Sequence, residues 1–179
     1  MEQNGNKKKN VNRIEPSKVE IKSLIEYYQN GLYSNAEKIA YSITKEFPKH
    51  QFAWKVLGVI FKKTGRVSES LAVTKKAVKL SPKDAQAHLN LGIIFKELGK
   101  LNDAEDSYIQ AILLKPNYAE AHNNLGNVLE EMGRLEDAVS SYRNAILFRS
   151  NFAEAHNNLG VTFEKLRQLD DAESSYKRA

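Results

Sequence analysis

In the stretch NYAEAHNNLGNVLEEMGRLEDAVSSYRNAILF, apolar residues recur three and four positions apart at Ala121, Leu125, Val128, Leu129 and Met132. That spacing gathers them on one face of an α-helix and leaves polar residues on the other. Gly133 interrupts the pattern. Leu135, Ala138, Val139, Tyr142, Ala145 and Ile146 then resume it as a second amphipathic helix. In the equivalent stretches this second helix is closed by Pro48, Pro82 or Pro116, since proline cannot continue a helix. The predicted unit is helix, short turn, helix.

The unit repeats every 34 residues. Gly58, Gly92, Gly126 and Gly160 form one ladder, and Gly31, Gly65, Gly99 and Gly133 a second, so eight of the nine glycines fall into register. Leu57, Leu91, Leu125 and Leu159 repeat at the same interval, as do Tyr27, Phe61, Phe95, Leu129 and Phe163. A period of this length signals a solenoid of supersecondary units, each too small to bury its apolar face alone. The small residues Gly126 and Ala138, with their copies Gly58 and Ser70, Gly92 and Ala104, and Gly160 and Ala172, allow two antiparallel helices to approach closely. Tyr108, Tyr142 and Tyr176 are expected to pack as knobs against the following repeat.

These residues resemble the tetratricopeptide repeat, whose pattern runs aromatic, Leu-Gly, aromatic, small residue, aromatic, Ala and Pro over 34 positions. One copy reads Trp54, Leu57, Gly58, Phe61, Ser70, Thr74, Ala77 and Pro82, departing mainly at Ser70 and Thr74. The next two follow closely, with His88 and His122 for the first aromatic and Ser150 for the last proline. The first copy has diverged, with Glu20 at an aromatic position and Leu24 at a glycine position, as suits a terminal repeat with one face toward water. The resemblance implies an all-α, right-handed α-solenoid of stacked antiparallel helix pairs. Its expected divisions are a disordered basic leader at 1–16, a diverged repeat at 17–50, repeats at 51–84, 85–118 and 119–152, and an incomplete one at 153–179. Because the last copy stops in its second helix, the chain is expected to be the N-terminal part of something longer.

Composition narrows the function. The 179 residues are 41% hydrophobic and 27% charged, with 27 Lys and Arg against 22 Asp and Glu, a net charge of +5. This is mildly basic, well short of a dedicated nucleic-acid binder. Lys7, Lys8, Lys9 and Arg13 make a short basic tail without interleaved aromatics, read as a solubilising leader. No apolar run of about 18 residues is available to span a bilayer, and no signal-peptide pattern opens the chain, so a cytoplasmic location is expected. With no cysteine, disulfides and thiol chemistry are excluded. Neither a phosphate loop, a nucleophile elbow nor an acid pair stands out, so the segment is not expected to be an enzyme or to need a cofactor.

His88, His122 and His156 repeat at 34, but equivalent positions on stacked helices lie roughly 8 to 10 Å apart, and ligands to one zinc must each reach within about 2.1 Å. No metal is expected there. Asn90, Asn124 and Asn158 stand just before each Leu-Gly pair, accompanied by Asn123, Asn127 and Asn157. Asparagine is a mediocre helix former, so its recurrence in mid-helix asks for a reason. The AEAHNNLG stretch is similar to the repeats of protein O-GlcNAc transferases and their bacterial relatives. That resemblance implies a ladder of Asn90, Asn124 and Asn158 on the concave face, hydrogen-bonding the backbone of an extended peptide. Val56 and Lys22 stand at the matching places in the second and first copies. One amide offers two donors and an acceptor, and a spacing near 10 Å matches about three extended residues at roughly 3.3 to 3.6 Å each. The alternative is that these asparagines bond neighbouring repeats.

Charge is uneven along the array. Residues 51–84 carry eight Lys or Arg against Glu69 and Asp84, whereas 119–152 carry three against five acidic residues. Lys55 and Lys62 are therefore placed at one end of the expected groove, with Glu120, Glu130, Glu154 and Glu164 toward the other. A dicarboxylate clamp of the chaperone-binding type is incomplete, because Val59 stands where the partner of Lys55 should be asparagine. The expected function is a scaffold that binds an extended segment of a protein partner, without nucleic acid or membrane. The alternative is the substrate-recruiting arm of a larger modifying enzyme, such as an O-GlcNAc-transferase-like glycosyltransferase, with its catalytic domain beyond Ala179. Self-association through Leu159, Phe163, Leu169 and Tyr176 is a third expectation.

Overall fold

A computed structural model describes residues 13–179, so Lys7, Lys8 and Lys9 lie outside the described residues. Ten helices follow in order: α1 Lys18–Gln29, α2 Tyr33–Glu46, α3 Gln51–Lys63, α4 Val67–Leu80, α5 Ala85–Glu97, α6 Leu101–Leu114, α7 Ala119–Glu131, α8 Leu135–Phe148, α9 Ala153–Lys165 and α10 Leu169–Tyr176. Each odd helix packs on the even helix that follows, and each even helix on the next odd one. The result is a stack of antiparallel pairs with apolar cores running through it. One is centred on Leu24, Ile43 and Phe61, the next on Phe95 and Tyr108, and the last on Tyr142 and Phe163.

The turn inside each pair is set by backbone conformation. Gly31, Gly65, Gly99 and Gly133 all take positive φ, between 68° and 78°. At Gly133 the N–H bonds to the Glu130 carbonyl at 2.9 Å, and the Arg134 N–H to the Leu129 carbonyl at 2.8 Å. These are the two bonds of a Schellman cap, which needs a left-handed residue at that point. In the fifth pair the position belongs to Arg167, held at φ 60° with the same two bonds to Glu164 and Phe163.

The turn between pairs is pinned by the first ring of each repeat. Trp54 Nε1 donates to the Pro48 carbonyl at 3.0 Å, and His88, His122 and His156 place Nε2 at 2.9 Å from the carbonyls of Pro82, Pro116 and Ser150. A carbonyl can only accept, so in each histidine Nε2 carries the proton. Imidazole thus reproduces the donor of indole, which explains why histidine stands there. Ser150 replaces a proline without altering the path, since Arg149 before it is extended like Ser81 and Lys115 before prolines.

The tyrosine ladder has a second contact beside the expected one. A Cβ on Gly92, Gly126 or Gly160 would lie within 2.7 Å of two ring carbons of Tyr108, Tyr142 or Tyr176 respectively. Each ring therefore lies across the glycine of its own repeat, while Tyr108 and Tyr142 also share a core with apolar residues of the following one. The reason is depth, because only a bare backbone leaves room for a phenol between the paired helices. In the second repeat the residue at this place is Thr74, whose Oγ1 is the atom nearest to the Cβ position of Gly58.

Arg13, at the edge of the leader, bonds both Glu20 and Glu46. Ser17 and Glu20 close a capping box on α1. No helix among the described residues is long and apolar enough to cross a membrane.

Candidate functional site

The odd helices define one face of the stack. Neighbouring odd helices touch directly, α3 with α5, α5 with α7 and α7 with α9, and no pair of even helices is in contact to the same extent. An array whose odd helices lie closer together bends toward them, so their outward positions line the inner face.

Most candidate residues lie on these helices, and several of them bond one another. Asn158 Nδ2 donates to Asn127 Oδ1 at 3.0 Å and to Asn123 Oδ1 at 3.2 Å, so it ties α9 to α7. Asn123, almost fully buried, donates in turn to Glu154 at 2.9 Å. Asn127 also accepts from the Tyr142 hydroxyl at 2.8 Å. Asn90 accepts from Gln86 at 3.0 Å through its oxygen. Asn124 is half-buried and stands outside this network, and Asn157 is exposed. The ladder is thus divided between a knot joining the last two repeats and amides left open toward the inner face.

The charged candidates are paired. Lys55 Nζ lies 2.8 Å from Asp84 Oδ2, and Asp84 also accepts from Gln51 and caps α5 through the Ala87 N–H. Burial alone would raise the Asp84 pKa, but these donors outweigh it and hold the carboxyl below its ordinary range. Lys62 pairs with Glu97 at 3.1 Å, Lys96 with Glu131 at 3.8 Å, and Glu130 with Lys165. Glu120 is bound by Arg149. The Glu130 carboxylate also accepts from Thr162 at 2.9 Å and Tyr142 at 3.1 Å. Burial works against its ionised form, and the donors from Lys165, Thr162 and Tyr142 more than offset it, so its pKa is lowered. The charge gradient of the sequence is therefore broken up by ion pairs within and between repeats. Glu164 is exposed near Tyr176.

The apolar face expected to pair two copies is mostly hidden. Leu159 and Phe163 are 6% and 4% exposed, and Tyr176 covers Gly160, which leaves Leu169 as its one open member. The buried pair packs around Ala138 and Tyr142 of the preceding repeat. Among the described residues no group of three or more His, Asp or Glu side chains is arranged to hold a metal ion.

A cleft lined in part by two of these candidates, Lys62 and Asn90, opens between α3 and α5. Val59, Ile93 and Ile94 wall it, Gly58 and Thr74 form its floor, and Lys63 and Asn90 stand among its lining residues. Its sequence signal is the departure at Thr74, where the three following copies carry Tyr108, Tyr142 and Tyr176.

The repeating geometry has a counterpart among known families. The TPR repeat matches residues 58–99, 94–133 and 131–166, more than half of the chain. The chain belongs to the TPR repeat family. Several solved TPR-like structures share its shape. A crystal structure of MamA protein is 24% identical, with 89% of this chain and 87% of that one covered at a TM-score of 0.80. A MamA RS-1 double mutant is 16% identical, with 90% of each chain covered and a TM-score of 0.83. PilF of Pseudomonas aeruginosa is 19% identical, with 89% of this chain and 73% of that one covered at 0.82. At these identities the likeness is one of fold. No curated protein matches the chain in sequence.

Proposed function

We propose that this TPR chain is a protein-interaction scaffold whose inner face, built from the odd helices, holds an extended segment of a partner protein. One observation carries the reading. Asn158 gives its amino group to the neighbouring repeat, whereas Asn124 stands outside that network and Asn90 is engaged only through its oxygen. A half-buried amide in mid-helix that serves no packing bond keeps donors and an acceptor for another chain. Repeated at one-repeat intervals, such amides read backbone rather than side chains. Asn157 extends the row, while Lys55, Lys62, Glu120 and Glu154 shape its rims through their ion pairs and hydrogen bonds.

The test starts from peptides selected on the protein from a displayed library of extended random sequences. Asn90→Ala combined with Asn124→Ala should weaken the selected peptides about tenfold, from two lost bonds of roughly 0.5–1.5 kcal/mol each. Helicity and melting should be unchanged. Asn158→Ala, by contrast, should lower both affinity and stability. Undiminished affinity in the double variant would refute the reading.

A further inference from the structure

The tyrosine ladder begins only at the third repeat. In the third, fourth and fifth repeats a phenol ring lies over the repeat's glycine. Its depth is visible at Tyr142, whose hydroxyl reaches Asn127 and Glu130 on the inner face. The second repeat has the same glycine, Gly58, but Thr74 in place of the ring. The structure leaves a cleft of about 100 Å³ there, bounded by Val59, Ile93, Ile94 and the Thr74 floor. Val59 and Lys62 occupy the positions that Asn127 and Glu130 hold in the fourth repeat. The amide and carboxylate that accept the Tyr142 hydroxyl are therefore missing from this site, and Val59, Ile93 and Ile94 give it an aliphatic wall beside Lys62.

The charge beside the cleft is equally specific. Ion pairs link residues 35 apart on successive odd helices: Lys62 with Glu97, Lys96 with Glu131 and Glu130 with Lys165. Lys63 holds the place that Glu97 and Glu131 fill in the next two repeats, but its counterpart 35 residues back is Tyr28. Lys63 is exposed and has no carboxylate partner among the described residues. A cleft with an aliphatic wall, beside a glycine whose counterparts are covered by a ring and next to an uncompensated ammonium, fits an aromatic side chain with an acidic neighbour.

We propose that the cleft between α3 and α5 is a side-chain pocket that receives a phenylalanine or tyrosine of the bound partner segment, with Lys63 pairing an adjacent Asp or Glu. This rests on the inner face being the peptide groove, and it adds a side-chain requirement to a ladder that reads backbone alone. Asn90, among the same lining residues, joins the pocket to that ladder.

The test has two arms that fail separately. In the first, p-cresol, the isolated tyrosine side chain, is titrated into the methyl-labelled full chain. Val59, Ile93 and Ile94 methyls should shift upfield with a dissociation constant of roughly millimolar order, as expected for a ligand of this size. Thr74→Tyr, which supplies the missing ring from the chain itself, should abolish the shifts. No shift up to about 20 mM, or equal shifts in Thr74→Tyr, would overturn the pocket whatever becomes of the groove. If Thr74→Tyr does not fold by circular dichroism, Ile93→Asn at the half-buried wall replaces it with the same expectation.

In the second arm, peptides are selected on the parent and on Thr74→Tyr. The parent should enrich sequences with an aromatic residue beside Asp or Glu, and the variant should lose the aromatic requirement. Lys63→Glu should lose the acidic one. Enrichment without an aromatic requirement overturns the pocket and spares the groove. Cresol binding with no peptide enriched on the parent overturns the groove reading, and with it the role of the pocket.

Discussion

Replacing Gly126 by alanine pits helix propensity against packing. In an exposed helix the change would stabilise by about 1 kcal/mol. Here the new Cβ would stand 2.6, 2.7 and 2.9 Å from three carbons of the Tyr142 ring, where carbon atoms normally rest at about 3.5–4.0 Å. Relief requires the ring to move by about 1 Å, yet Tyr142 is fully buried and its hydroxyl is tied to Asn127 and Glu130. Overpacking of this kind costs about 1–3 kcal/mol, and loosening the hydroxyl adds about 1 kcal/mol. The net expectation is a loss of about 2 kcal/mol after the propensity gain is subtracted. For a chain of this length that is a fall in Tm of about 4–8 °C. Gly58→Ala supplies the internal comparison, because its new Cβ meets the single Oγ1 of Thr74, which rotation can move aside; the expected change is within about 0.5 kcal/mol. Thermal melts of both variants, together with amide exchange in α7 and α8, measure the difference. A Gly126→Ala protein as stable as its parent would refute the argument that the ring is pinned.

Two further outcomes are expected. Arg167→Gly should stabilise the last repeat by about 0.5–1 kcal/mol, since a side chain at positive φ costs about 1–2 kcal/mol and the looser unfolded chain returns some of it; slower amide exchange in α9 and α10 would register the gain. Glu20 has its pKa lowered from 4.5 to about 2, first by the Ser17 hydroxyl and then by Arg13. A carboxylate depressed on folding contributes stability that is present above its unfolded value and lost as pH falls through the folded one. The stability difference between the parent and Glu20→Gln should therefore be complete above pH 4.5 and vanish toward about pH 2, which melts across that range would show.

Much of the fold can be read directly from the chain because each repeat solves the same local problems with the same residues. Gly133 is needed for a left-handed cap, Pro116 for a stop, and Leu125 and Leu129 for one helical face. Arg167 is not legible as a fifth member of the glycine ladder, because its conformation is imposed by the Schellman bonds and not by its own preference. The reach of Tyr142 escapes the sequence for a similar reason, since ring direction depends on the helix pair and spacing alone does not reveal it. At the site, the asparagine ladder is visible, but its division is not. Asn158 and Asn124 have identical immediate neighbours in sequence, and the difference lies on the preceding odd helix, where Asn123 and Asn127 meet Asn158 but Leu89 and Ile93 hold the matching places for Asn124. Ion pairing of Lys55 with Asp84 is likewise a matter of which side chains reach one another. The departure at Thr74 can be seen, though the space it leaves cannot.

The ion pairs between odd helices also carry information about order. The first two run from a lysine on the earlier helix to a glutamate on the later, and the third, Glu130 with Lys165, reverses that sense. Excising the fourth repeat would bring Lys96 opposite Lys165, two like charges where an attraction belongs. Although the units look interchangeable by period and core, each junction accepts only certain neighbours, and the array specifies its own sequence of assembly as a set of keyed joints does.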